Sequence, residues 1–247
     1  MFRPTMAFTM LALGALGMQQ QGTRRPAQLP DAQPPGRGGA FLLVRDESPP
    51  GYLQEERMII EYSAATDEAA VIVEAESEEA LASVVVLGPN DVSVLELRSS
   101  RDGLDLAISG FVVERREMST EVLFETYREG TYTMQAMSAD GRSARGSAVL
   151  SHDLLPAPTL LYPPNGTSNV PTDLIVGWIS DPQALGGYQV VLEQDENDGL
   201  TARLPAGTSS FQVPEGVLSP GKESHVEVGA IGSNGNITLV ESFFTTR

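Results

Sequence analysis

The side chains that could do chemistry are few and far apart. The chain has two histidines, His152 and His225, and no cysteine. Transition-metal centres usually draw three or four nitrogen or sulfur ligands to one point. Two separated histidines do not supply them, which leaves only a hard-cation site built from oxygen. His152 stands beside Asp153, but neighbours on an extended chain point to opposite faces, so the pair does not form a base with its orienting carboxylate. His225 precedes Val226 and Val228, which take the inward positions, and it is expected to face solvent. Neither a Gly-x-Ser-x-Gly nucleophile nor a glycine-rich phosphate loop is present. The residues therefore assign no catalytic, cofactor-binding or metal-binding position, and the chain reads as a protein without enzymatic activity or a cofactor.

Two acidic stretches invite a calcium reading. The densest is Glu74-Ala-Glu-Ser-Glu-Glu79. Calcium takes six to eight oxygens converging on one point, and a straight acidic run does not converge, so a solvated strand end or loop is expected there. Asp195-Glu-Asn-Asp-Gly199 departs from the EF-hand spacing: the glycine falls at loop position five and no Glu follows at position twelve. A hairpin turn accounts for it. A glycosidase pair of carboxylates requires a cleft, which two small sandwiches rarely provide.

The elements that must carry these residues read as strands. Apolar runs such as Met58-Ile-Ile, Ala70-Val-Ile-Val and Ala82-Ser-Val-Val-Val-Leu recur about every ten residues, separated by breakers such as Gly88-Pro and Arg101-Asp-Gly. Further strands are expected at 92–97, 111–115, 131–137 and 145–152, the last two joined by an Asp140-Gly141 hairpin. Residues 119–127 open on a serine and break the alternation, which predicts one or two helical turns. The fold class is all-β, with two β-sandwich domains in tandem at residues 54–155 and 156–247. Two prolines in three residues at the junction, Pro156 and Pro158, predict a stiff connector and an end-to-end arrangement.

Charge narrows the partners. The net charge is −17, from 16 basic and 33 acidic residues. Four arginines (Arg3, Arg24, Arg25 and Arg37) and one acid (Asp31) precede residue 41, which leaves 12 basic against 32 acidic residues in the remainder. Such a surface repels nucleic acid and anionic lipid. Residues 1–17 carry one arginine and then a 12-residue apolar run ending in small residues. This is the pattern of a signal peptide, too short for a membrane span, with Ala15 and Gly17 placed for cleavage before Met18. Residues 18–53 are rich in Gln, Pro, Gly and Arg and read as a disordered linker.

In the second half seven strand patterns occupy about 90 residues. The chain's one tryptophan, Trp178, lies in the second and Tyr188 opens the third, after Gly187. Leu218-Ser-Pro-Gly, then Val226-x-Val-x-Ala230, then an Asn-Gly turn complete the order. Residues 156–247 thereby resemble a fibronectin type III domain. The resemblance implies a seven-stranded immunoglobulin-like sandwich with Trp178 sealed between its sheets. One position departs from the family: the tyrosine expected six residues after Leu218 is Ser224, which cannot make the same corner hydrogen bond. The first half more weakly resembles the β-rich region ahead of such modules in bacterial exported proteins, on Arg57-Met-Ile-Ile-Glu-Tyr, Glu129-Gly-Thr-Tyr and Val149-Leu-Ser-His-Asp. That likeness implies an exported, modular protein.

The function these observations imply is that of an exported interaction or structural module, periplasmic, secreted or at the cell surface. Its expected partner is a protein or a surface polysaccharide. It is expected to be neither an integral membrane protein nor a nucleic-acid binder. An accessory carbohydrate- or calcium-binding module of an exported enzyme system is the alternative, which an exposed aromatic platform would favour.

Overall fold

A computed structural model describes residues 51–99, 108–138, 140–195 and 198–247. The signal-peptide reading of residues 1–17, most of the 18–53 linker and the Arg101-Asp-Gly turn lie outside the described residues. Pro49–Arg247 forms one compact unit.

Strands dominate, as the alternation requires. The first half contains β1 (Gly51–Tyr52), β2 (Gln54–Ser63), β3 (Glu68–Leu87), β4 (Ser93–Arg98) and β5 (Ile108–Met118). After them come α1 (Thr120–Thr126), β6 (Gly130–Ser138) and β7 (Ser143–Leu150). Ser119 caps the short helix, its hydroxyl accepting from the Val122 amide. Two sheets face each other. One has the order β5-β3-β2, and the other runs β4-β3-β6-β7-β1. Met58, Ile60, Val71, Val73, Val84, Met134 and Leu150 fill the space between them.

Strand β3 belongs to both sheets, which corrects the reading of the acidic run. Its first part pairs with β2 and β5, its last part with β4 and β6, and the register breaks between Glu76 and Leu81. Residues 74–79 are the crossing point of one 20-residue strand. They form neither a strand end nor a loop, because cross-strand cations hold them: Arg57 Nε lies 2.6 Å from Glu74, and Arg142 pairs with Glu79.

The second half begins with β8 (Thr159–Tyr162), β9 (Thr167–Val170), β10 (Ile175–Ile179) and β11 (Gly187–Asp195). It ends with β12 (Asp198–Leu204), β13 (Ser210–Gln212), β14 (Glu223–Ile231) and β15 (Ile237–Thr246). A three-stranded sheet, β13-β10-β8, faces β15-β14-β11-β12. This is a fibronectin type III-like β-sandwich. Trp178 is 2% exposed and tilts against Tyr188 with ring centroids 5.4 Å apart, so the indole lies inside the core as expected. Gly187 must be glycine: its φ is +90°, and a Cβ there would sit 2.1 Å from the Leu204 carbonyl oxygen.

The two sandwiches lie side by side rather than end to end. β15 pairs in parallel with β2, Ile237 opposite Glu61 and Leu239 opposite Ser63. The sheet β5-β3-β2-β15-β14-β11-β12 therefore runs without a break through both halves. An exposed edge strand invites unwanted pairing, and here each half covers an edge of the other. The proline connector did not foretell this, because edge pairing depends on which strands end the sheets.

Candidate functional site

Alternation gives the continuous sheet two faces. On β2, Met58, Ile60 and Tyr62 enter the first core, so Ile59, Glu61 and Ser63 point the other way. On β14, Val226, Val228 and Ala230 enter the second core, so His225 and Glu227 point the other way. Cross-strand register then lines up the groups on this second face. Glu227 is opposite Glu241 on β15 and Val191 on β11, and His225 is opposite Phe243 and Glu193.

This face is buried although neither core lies beneath it. Ile59, Val191, Ile237 and Leu239 are all buried outside the two core clusters. The sheet curls around them, bringing Arg203 of β12 within electrostatic reach of Arg57, Glu74 and Glu61. Arg116 pairs with Glu114 at 2.7 Å on β5. Three buried oxygens on the same face, Ser63 Oγ, Glu114 Oε1 and Gln189 Oε1, have no hydrogen-bond partner among the described residues.

The histidine sits at the end of this charged row. Its Nε2 is 3.0 Å from Glu241 Oε2 and 3.8 Å from Glu227 Oε1, and its Nδ1 is 3.9 Å from Glu193 Oε2. Phe243 stacks on the imidazole with centroids 4.4 Å apart and planes 13° apart. Burial, reinforced by Glu61, Glu193 and Glu241, pushes the Glu227 carboxyl up to about 8, with Arg116 opposing. Beside the imidazole opens a cavity of about 660 Å³, lined by Glu193, His225 and Phe243 among others.

His225 thus lies on the outward face, as the valine alternation predicts, but it is not solvent-facing. Its side chain is only 12% exposed, because Phe243 and three carboxylates cover it. Sequence reasoning did not bring Glu193, Glu227 and Glu241 to it. The one local signal was His225-Val-Glu227, two polar residues sharing a face. The rest depended on strand register.

The other candidate residues do structural work. His152 stacks on Phe124 with centroids 4.0 Å apart, and its Nε2 lies 2.7 Å from the Tyr127 carbonyl oxygen. Asp153 accepts on its backbone oxygen from Asn234 and Asn236. Asp195 and Asp198 pair across the β11–β12 hairpin, while Glu196 and Asn197 lie outside the described residues. The exposed aromatic rings among the described residues are Tyr52, Tyr162 and Phe243, on three different strands. No helix among the described residues is long and apolar enough to cross a membrane.

No protein-family model and no curated protein sequence matches the chain. Solved structures resemble it in fold. A two-domain fibronectin type III segment of chicken tenascin is 10% identical, covering 80% of this chain and 99% of its own, with a TM-score of 0.31. Tp47, the 47-kilodalton lipoprotein of Treponema pallidum, is 12% identical over 81% of this chain and 52% of its own, at 0.38. A tetra-tandem repeat from the extending region of a large adhesion protein is 13% identical over 78% and 49%, at 0.28.

Proposed function

We propose that the chain is an exported, non-enzymatic interaction module that acts on a protein partner through a β-sandwich face. The observation that supports this is on the three-stranded sheet of the second half. Ile175 and Ile179 of β10 and Leu161 of β8 are each more than half exposed, with Tyr162 beside them. A bulge between the β8 and β10 registers, at Gly177 and Trp178, turns both Leu161 and Tyr162 outward. Apolar side chains grouped on one exposed face mark contact surfaces more often than isolated ones do. The acid excess turns nucleic acid away from the same molecule.

A photo-crosslinking residue at position 175 of the full chain, expressed in its native cells, tests the reading. The expected result is a discrete protein adduct that is missing when the crosslinker stands at the exposed Glu215. Failure of positions 161, 175 and 179 alike to give an adduct would overturn it. Export is tested separately by the mass of the purified native protein, which should begin at Met18.

A further inference from the structure

We propose that His225, Glu227 and Glu241 form a binding site for a divalent first-row transition ion such as Zn²⁺, held by imidazole Nε2 and one oxygen of each carboxylate. The reading is independent of the interaction face on β8 and β10, which belongs to the other sheet.

One ligand atom from each residue lies within 4.8 Å of both others. Ligands at about 2.0–2.2 Å from a common ion stand roughly 3 to 4 Å apart, and the two contacts to Nε2, 3.0 and 3.8 Å, fall in that range. All three side chains stand on neighbouring antiparallel strands, so the rigid sheet fixes their spacing.

A second observation comes from Glu227 itself. It is 3% exposed, and its carboxylate accepts no hydrogen bond from a described residue; the imidazole lies 3.8 Å away. A buried carboxylate is ordinarily hydrogen-bonded, paired or bound to a metal. Glu241 stands directly opposite it on β15, and Glu193 lies on β11, the strand on its other side. A dication among these carboxylates supplies the missing counter-charge.

The surroundings suit an ion as well. Metal-binding imidazoles commonly direct the second ring nitrogen at a carboxylate, which sets the tautomer. Here Nδ1 faces Glu193 while Nε2 faces the two ligand carboxylates. The Phe243 ring holds the plane of the imidazole. The adjoining cavity gives solvent access and room for water ligands. An imidazole donor among carboxylates suits Zn²⁺ or Mn²⁺ and disfavours Ca²⁺, which takes oxygen ligands throughout.

The test uses the full, tag-free chain. Isothermal titration with Zn²⁺ should give one site, with Ca²⁺ binding at least tenfold more weakly. His225→Ala and Glu241→Gln should each weaken Zn²⁺ on the order of 100-fold, since loss of even an outer-shell partner costs 10- to 100-fold. Circular dichroism checks that both variants fold. Should either not fold, ¹⁵N-histidine NMR of the unaltered chain decides, because the sequence contains only two histidines to assign. Zn²⁺ should move the Nε2 resonance of His225 and leave His152 in place. Zn²⁺ bound no more tightly than Ca²⁺, binding undiminished in both variants, or a stationary His225 resonance would overturn the proposal and leave the cluster a packing and hydrogen-bonding arrangement of the sheet.

Discussion

The side chain of Asn236 accepts the backbone amide of Ile60 on Oδ1 at 2.8 Å, across 176 positions of sequence. Its Nδ2 donates to the carbonyl oxygens of Ser151 at 2.8 Å and Asp153 at 2.9 Å. One buried amide thus ties the β14–β15 turn to β2 and to the connector, at the place where the two halves share a sheet. Stranding a buried donor or acceptor costs about 1–3 kcal/mol. Asn236→Ala is therefore expected to lower stability by roughly 2–4 kcal/mol in urea unfolding and to speed hydrogen exchange at the Ile60 amide. Asn236→Asp should not rescue it, because a carboxylate cannot donate to the two carbonyls. Wild-type exchange at Ile60 in the Ala variant would show that the junction is held by strand pairing alone.

Gln194 takes over the corner that Ser224 leaves without a tyrosine. Its Nε2 donates to the Ser219 carbonyl and to Ser224 Oγ, each at 2.9 Å, and its Oε1 accepts the Ser219 amide at 2.6 Å. The first half keeps a tyrosine version of this device, with Tyr132 Oη donating to the Arg128 carbonyl at 2.9 Å. Gln194→Ala should cost about 2 kcal/mol and Tyr132→Phe about 1 kcal/mol. The two sites belong to separate cores and share no partner, so thermal unfolding of the double variant should show the two losses adding within about 0.5 kcal/mol.

Much of this fold was legible because it follows from local alternation. The strand positions of β2, β4 to β7 and the seven main strands of the second half come from apolar spacing and breakers, and the helix α1 comes from a serine cap and a lapse in alternation. What failed to show was register. Residues 70–75 and 82–87 read as two strands, because nothing in an acidic run announces that cross-strand arginines will hold it extended. The pairing of β2 with β15 joins residues far apart in sequence and has no local signature. Glu61 joins the charged face through that same pairing, and Glu193, Glu227 and Glu241 meet His225 only through the registers of β11, β14 and β15, which have no local signature either.

Two glycines separate backbone strain from steric crowding. Gly187 and Gly207 both have positive φ, +90° and +79°. A methyl at Gly187 would meet the Leu204 carbonyl oxygen at 2.1 Å, whereas at Gly207 nothing lies within 4 Å. Gly207→Ala should cost about 1–2 kcal/mol, the penalty of a left-handed backbone for an L side chain. Gly187→Ala carries that penalty and must also push β11 from β12, so it should be markedly worse and should increase hydrogen exchange along the β11–β12 ladder. Equal thermal shifts for the two variants would show that the strands part without cost.

Glu61 makes stability depend on pH in an unusual direction. Burial, then the nearby Glu114, push its carboxyl from the ordinary 4.5 up to about 7, against the pull of Arg116, Arg203 and Arg57. Glu227 of β14 lies within electrostatic reach of it. Between pH 4.5 and 7 the folded chain keeps a proton that the unfolded chain has released. Unfolding free energy from this group therefore falls as pH rises through that window and is level above it. The total fall is at most about 3 kcal/mol, at 1.36 kcal/mol for each unit of pKa difference. Glu61→Gln has no proton to lose, so urea unfolding should show its advantage over the native chain near zero at pH 4 and growing to about 3 kcal/mol by pH 8. Stability curves for the two chains that run parallel from pH 4 to 8 would mean that Glu61 is ionised in the fold and fully compensated by its three arginines.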